Sequence, residues 1–187
     1  MNENYNFVKR TQQNFKHISK EIEKKKIPIN NNKFYEVTNL LCYCLGLISF
    51  VNQAAEDETD NILNSTSNNK NRNELIKQIL DKILKDITYS ETKYGTIIVC
   101  YPKWAPTDVS TTDISTIVYR MRNAICHNDI EPIGGEKDIN GNQLIEKIRF
   151  VSKNDKNNIR FHAEMTIKQI HQLVMDVSNA YLKYYNI

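Results

Sequence analysis

Apolar residues recur every three to four positions in five segments of the chain, which is the spacing of helices that bury one face. The second segment is the most apolar. It contains Glu36 and Asn39, and its apolar core is too short for a membrane span, so we expect it to be the central helix of a bundle. The predicted helices cover residues 3–26, 33–56, 73–88, 116–129 and 166–184.

Two further segments predict extended structure. Residues 94–101 read YGTIIVCY, a β-branched run that ends at Pro102 and fits a strand or an extended segment. Residues 144–165 contain two runs of alternating apolar and polar residues around the turn-rich sequence SKNDKNN, which predicts a β-hairpin. Arg149, Arg160 and His162 of this hairpin form a basic rim beside a site, or else Arg149 and Arg160, which alternation places outward, are ordinary solvated charges.

The remaining segments are predicted to be connections. Residues 57–73 are polar and indicate a linker. Glu131-Pro132 and Gly134-Gly135 close the region after the fourth helix. The predicted fold class is therefore mainly all-α: a helical bundle of about five helices with a small β-hairpin insertion before the C-terminal helix.

Composition limits the chemistry that the chain supports. Its 187 residues suffice for one domain with its own core, and a net charge of +3 permits a nucleic-acid partner without indicating one. The four cysteines form no C-x-x-C pair and lack a matching histidine spacing, so we expect no zinc site, and no other metal or cofactor. The first residues lack the apolar stretch of a signal peptide, so we expect a reducing cytoplasm.

The predicted helix at 116–129 carries an apolar stripe and a polar side. At about 100° per residue, Arg120, Asn123 and His127 fall on one flank of the polar side. Arg122 and Cys126 fall on the other. Histidine moves protons near neutral pH, arginine holds phosphate oxygens through a planar fork, and asparagine offers both a donor and an acceptor. These side chains suit phosphate chemistry.

The spacing of Arg122 and His127 bears on how a site is built. Five positions place them roughly 140° apart around one helix, so a single copy makes a splayed half-site. Two copies that face each other across a twofold axis would bring both pairs into one groove. The alternative is structural: Arg120 and Arg122 are solvated charges, and His127 caps the helix C-terminus, where it complements the helix dipole.

The residues from Arg122 to His127 read R-N-A-I-C-H. This resembles the signature of the HEPN superfamily (higher eukaryotes and prokaryotes nucleotide-binding), an Arg and a His separated by four to six residues, often with Asn after the Arg. The context RNAICHNDIEPI is also similar to a plasmid- and chromosome-borne HEPN subfamily of presumed nucleases. Many members of the superfamily are metal-independent ribonucleases of toxin–antitoxin, phage-defence or CRISPR-associated systems.

For this chain the resemblance implies one HEPN-like helical domain over residues 1–187 that acts as a metal-independent endoribonuclease. Its partners would be an RNA substrate, a second copy in a homodimer with a composite interface site, and an antitoxin or regulatory protein, without a membrane. His127 would be the general acid or base, Arg122 would stabilise the transition state, and Asn123 would orient either His127 or the phosphate. Arg120 and Asn128 are predicted to bind RNA. The product would be a 2′,3′-cyclic phosphate.

Two roles stay open beside this one: a non-catalytic HEPN-like RNA- or nucleotide-binding or dimerisation module, and a purely structural interaction protein. Glu36 and Asn39 share one helix face and either brace the arginines of the motif or point to solvent. One variant of the motif has a tyrosine two positions after the histidine. Here that residue is Asp129, so regulation through that tyrosine does not apply.

Overall fold

The computed structural model describes residues 3–24, 33–65, 71–101, 111–137, 143–154 and 158–185. In these ranges the chain forms six helices and four strands. The helices are α1 (Glu3–Lys24), α2 (Lys33–Ser65), α3 (Arg72–Ile83), α4 (Glu91–Tyr94), α5 (Ile114–Cys126) and α6 (Ile167–Tyr185). The strands are β1 (Thr96–Cys100), β2 (Ile130–Lys137), β3 (Gln143–Lys153) and β4 (Ile159–Thr166). Over the part of the chain described, none of the helices has the length and apolar content needed to cross a membrane.

The four strands form one antiparallel sheet in the order β1-β4-β3-β2, so the predicted fold class is wrong. The protein is helical with a sheet, and the expected hairpin (β3 and β4) is only the middle of that sheet. β2 contains Pro132, Gly134 and Gly135, a composition that predicts a connection between elements and not a strand. An edge strand accommodates Pro, and the register of β2 against β3 shifts at Gly134. The local sequence pattern does not show which distant strand has an unpaired edge, so the sequence does not predict the four-stranded sheet.

α2 is longer than predicted because its second half packs against α6. The helix continues to Ser65, through half of the segment interpreted as a linker. In this extension Thr59 is buried, Ile62 packs against the core, and Glu58 accepts a hydrogen bond from Tyr185 at 2.9 Å. Most helical stability comes from such tertiary packing, which the polar composition of the segment does not show.

α5 lies at the centre of the fold. It contacts α2 and α3 as well as β1, β3 and β4. Every residue from Ile114 to Met121 is buried, including Ser115 and Thr116. Ser115 donates a hydrogen bond to Asp81 and thereby ties the start of α5 to α3. A helix enclosed in this way has no polar outer side along its first two turns, and it reaches solvent only near its C-terminus.

The two faces of the sheet differ in character. Alternation along β4 places Phe161, Ala163 and Met165 in the core. The intervening residues of β4 lie half-buried on the opposite face, which we call the outer face, together with alternate residues of β3. The outer-face residues of these two strands are Lys147, Arg149, Val151, Lys153, Arg160, His162, Glu164 and Thr166.

Candidate active site at the end of α5

Arg120 lies inside the protein, whereas its spacing predicted a position on the polar side of the helix. Its side chain is only 7% exposed, and its Nε donates to the carbonyl oxygen of Tyr101 at 2.7 Å. The guanidinium also lies 5.7 Å from the ring centre of Tyr119. Burial lowers the pKa of Arg120. The expected outward position is therefore wrong, and this geometry fits a contact that holds α5 against the end of β1.

The C-terminal turn of α5 fixes the position of His127. This residue is the C-cap of the helix, and its N–H donates to the carbonyl oxygen of Asn123 at 3.0 Å. The prediction that His127 caps the C-terminus of the helix is thus confirmed, and it is the backbone of His127 that forms the cap. Its side chain is exposed. An exposed imidazole is free to exchange protons with a bound molecule.

Asn128 closes this turn in the left-handed conformation, with φ of 56°. Its N–H donates to the carbonyl oxygen of Ile125 at 3.1 Å, and the N–H of Asp129 donates to that of Ala124 at 2.8 Å. This pair of bonds is a Schellman motif, which ends helices at a residue with positive φ. Asparagine adopts that conformation at a lower cost than most residues. Asn128 is exposed, and its predicted contact with RNA stays a prediction.

Arg122 and Asn123 contact each other directly. The Nη1 of Arg122 donates to the Oδ1 of Asn123 at 3.0 Å. Arg122 is half-buried, and its Nε is buried without a hydrogen-bond partner among the described residues. Within the same part of the chain, the side chain of His127 bonds to neither of them. Most donors of the guanidinium are therefore left for a bound phosphate.

Other elements border this turn. Cys126 is exposed, and its Sγ lies 4.0 Å from the Oγ of Ser49 on α2. Glu36 and Asn39, which are predicted to brace the arginines, belong to α2, but their side chains are not among those that the structure describes. Over the described ranges, no three His, Cys, Asp or Glu side chains are grouped so as to hold a metal ion.

The hairpin lies closer to the motif than the sequence indicated. The N–H of Val151 on β3 donates to the carbonyl oxygen of Asp129 at 2.9 Å, two residues after His127. Sequence alternation correctly placed Arg149 and Arg160 on one face. It did not show that this face begins beside the end of α5, because that depends on the pairing of residue 129 with residue 151.

Comparison with known proteins decides the family. The profile described as HEPN pEK499 p136 matches residues 1–187. The chain belongs to this HEPN family. The resemblance carried by the motif from Arg122 to His127 is thereby confirmed, and membership in a HEPN family indicates a nuclease or RNA-binding kind of function. No curated protein and no solved structure matches this HEPN chain.

Proposed function

We propose that this HEPN protein is a metal-independent endoribonuclease in a toxin, phage-defence or stress role. The proposed catalytic residues are His127, Arg122 and Asn123. The observation that carries the proposal is the end of α5, where an exposed imidazole follows an arginine whose guanidinium is already held by Asn123. A proton-transfer group and a phosphate-binding group thus lie within six consecutive residues at the end of a helix whose first two turns are buried.

The reaction is an attack of a ribose 2′-hydroxyl on the adjacent phosphorus. As a general base, His127 takes the 2′ proton while the O2′–P bond forms. As a general acid, it gives a proton to the 5′ oxygen while the P–O5′ bond breaks. Arg122 stabilises the negative charge on the five-coordinate phosphorus, and Asn123 orients the guanidinium. The products are a 2′,3′-cyclic phosphate and a 5′-hydroxyl.

A homodimer supplies the missing half of this site. Arg122 and His127 lie roughly 140° apart around one helix, so the arginine of one chain can serve the histidine of its partner. A second copy related by a twofold axis adds its own histidine and arginine to a shared groove. The exposure of His127 is consistent with such a groove, because an exposed side chain is free to face a second chain.

The test is cleavage of a mixed pool of structured RNAs in EDTA. His127→Ala is expected to cleave roughly 10²- to 10⁴-fold more slowly, as is typical for loss of a general acid or base. Arg122→Ala should behave alike, and Arg122→Lys should recover little, because a point charge does not replace a planar fork. The matched control is His17→Ala, which removes another exposed histidine, on α1.

End-group analysis completes this experiment. Cyclic phosphate ends that disappear with His127→Ala and persist with His17→Ala would support the assignment. Equal cleavage by the parent and His127→Ala proteins would refute it. RNA binding without cleavage would favour the non-catalytic HEPN module instead.

A further inference from the structure

A groove lies between the C-terminal ends of α3 and α6. It consists of two adjoining cavities of about 370 Å³ and about 270 Å³. Asp86, Ala180 and Lys183 line both cavities, so the two spaces are continuous. We call them the first and the second cavity of the α3–α6 groove. The first lies between the last turn of α3 and the end of α6, and the second extends toward α4.

The first cavity has a mainly apolar wall. Ile83 is buried, and Ala180 and Tyr184 are half-buried. Ala180 fills little of the space, because its side chain is a single methyl group. The ring of Tyr184 packs edge-on against that of Tyr185, with 4.8 Å between the ring centres, and this contact fixes its position. A preformed apolar cavity of this size accepts a large apolar side chain as an anchor.

Positive charge surrounds this apolar wall. Lys82 and Lys85 line the cavity at the end of α3, and both are exposed. Neither forms a hydrogen bond or an ion pair with another described residue. Lys183 also lines the cavity, but it is paired with Asp86 at 2.6 Å. Three lysines and one aspartate give the first cavity a net charge of +2. A ligand that complements both properties carries negative charge next to an apolar group.

The second cavity contains paired charges instead. Lys93 lies 2.9 Å from Asp176 there, and Asp86 faces Lys183 where the two cavities meet. The hydrogen bond from Lys183 lowers the pKa of Asp86, so this carboxylate stays ionised at neutral pH. A nucleic-acid strand that followed the groove would bring its phosphates next to two carboxylates. A peptide avoids this repulsion, because its acidic residues can be confined to one end.

We propose that the α3–α6 groove binds an extended acidic segment of a partner protein. One large apolar side chain of that segment occupies the first cavity, and neighbouring aspartates or glutamates pair with Lys82 and Lys85. Uncharged polar residues of the segment follow along the second cavity. Binding here is independent of the proposed reaction, because none of the residues that line the groove belongs to the motif from Arg122 to His127. The groove thus gives a regulatory protein a docking site outside the motif.

The test measures binding of a defined peptide by fluorescence anisotropy. The probe is the labelled hexapeptide Ser-Glu-Asp-Phe-Thr-Gln, which is titrated with the whole protein at low salt. Replacement of its phenylalanine by alanine is expected to raise Kd roughly ten- to hundredfold, because a buried aromatic side chain is lost. Replacement of its two acids by glutamine and asparagine should raise Kd roughly two- to thirtyfold, and this second effect should fade at about 0.5 M salt.

Two variants of the protein test the two properties of the first cavity. Ala180→Leu fills the apolar space without breaking α6, because leucine is a good helix former, and it should raise Kd for the probe roughly tenfold or more. Lys82→Gln/Lys85→Gln should reproduce the loss seen with the uncharged peptide. The matched control, Lys153→Gln/Lys168→Gln, removes the same charge at exposed positions that do not line the groove, and it should leave Kd unchanged. Melting temperatures close to the parent value exclude a folding defect.

Each outcome either supports the groove or overturns it. Probe binding that is lost both in Ala180→Leu and with the alanine peptide supports it. If the probe does not bind at about 1 mM, or binds equally to Ala180→Leu and to the parent, the proposal is overturned. If a short single-stranded RNA binds the parent and loses affinity in Ala180→Leu, the occupant is a nucleic acid and the proposal is again overturned. RNA cleavage by the parent is a separate measurement, so failure of the groove leaves the proposed nuclease standing.

Discussion

At the scale of single residues, the placement of His127 depends on the backbone of Asn128. The positive φ of Asn128 lets two hydrogen bonds close the end of α5, and His127 is the residue between the helix and this turn. A β-branched residue adopts this conformation only at a cost of about 1–2 kcal/mol. The identity of residue 128 therefore affects both stability and the position of the imidazole.

We predict that Asn128→Gly keeps the turn and that Asn128→Val disturbs it. Glycine adopts positive φ freely, so the free energy of unfolding of the Asn128→Gly protein should stay within about 1 kcal/mol of the parent value. The free energy of unfolding of the Asn128→Val protein should be lower by about 1–2 kcal/mol. Urea unfolding measures this difference. In RNA cleavage by the same proteins, Asn128→Val should change kcat more than KM, and Asn128→Gly should not show this effect. Equal stability of the two variants would contradict a requirement for the left-handed turn.

At the scale of elements, the short helix α4 is held on α6 by Asp176. Tyr94 donates to the carboxylate of Asp176 at 2.8 Å, and the Nζ of Lys93 lies 2.9 Å from it. Burial alone would raise the pKa of Asp176, but hydrogen bonds from Lys93, Gln172 and Tyr94 outweigh burial and lower it. The contact is therefore strongest when the carboxylate is ionised.

This lowered pKa predicts a pH-dependent stability. Because the folded pKa of Asp176 is below its unfolded value, the contribution is fully present above about pH 4 and is lost as the pH falls through the folded pKa. Asp176→Asn should melt below the parent temperature at neutral pH, and the difference should close as the pH falls below about 4. Thermal melts of both proteins from neutral to acidic pH measure it. A difference that is independent of pH would mean that the carboxylate charge contributes nothing.

At the scale of the whole molecule, the splayed motif predicts a site shared between two chains. Arg122→Ala and His127→Ala are each expected to be inactive as homodimers. If the arginine of one chain serves the histidine of its partner, a mixed dimer keeps one of two sites. Random exchange should then restore about a quarter of the parent activity.

The control for this mixing experiment is each variant alone at the same total concentration. Sedimentation velocity should show a dimer for both variants and for the mixture. An inactive mixture would mean either that Arg122 and His127 of one site belong to the same chain, or that one groove needs both arginines and both histidines. An active monomer would exclude the shared site.

Features that depend on neighbouring residues follow from the amino-acid sequence alone. The periodicities predicted the main helices, the hairpin and the extended run of β1, because alternation and helical spacing are properties of short segments. The pattern from Arg122 to His127 identified the HEPN family for the same reason, since a motif consists of side-chain types within six consecutive residues.

Which surfaces of the helices and strands are covered depends on tertiary contacts. Arg120 and Arg122 are two positions apart on α5, yet Arg120 is buried against Tyr101 while Arg122 is only half-buried. That difference arises because the sheet packs on the helix. The sheet itself depends on β1 and β2 pairing with the two edges of the hairpin, and the second half of α2 is stabilised by α6. In each case the stabilising contact joins residues that are far apart in the chain, so it cannot be predicted from a local sequence pattern.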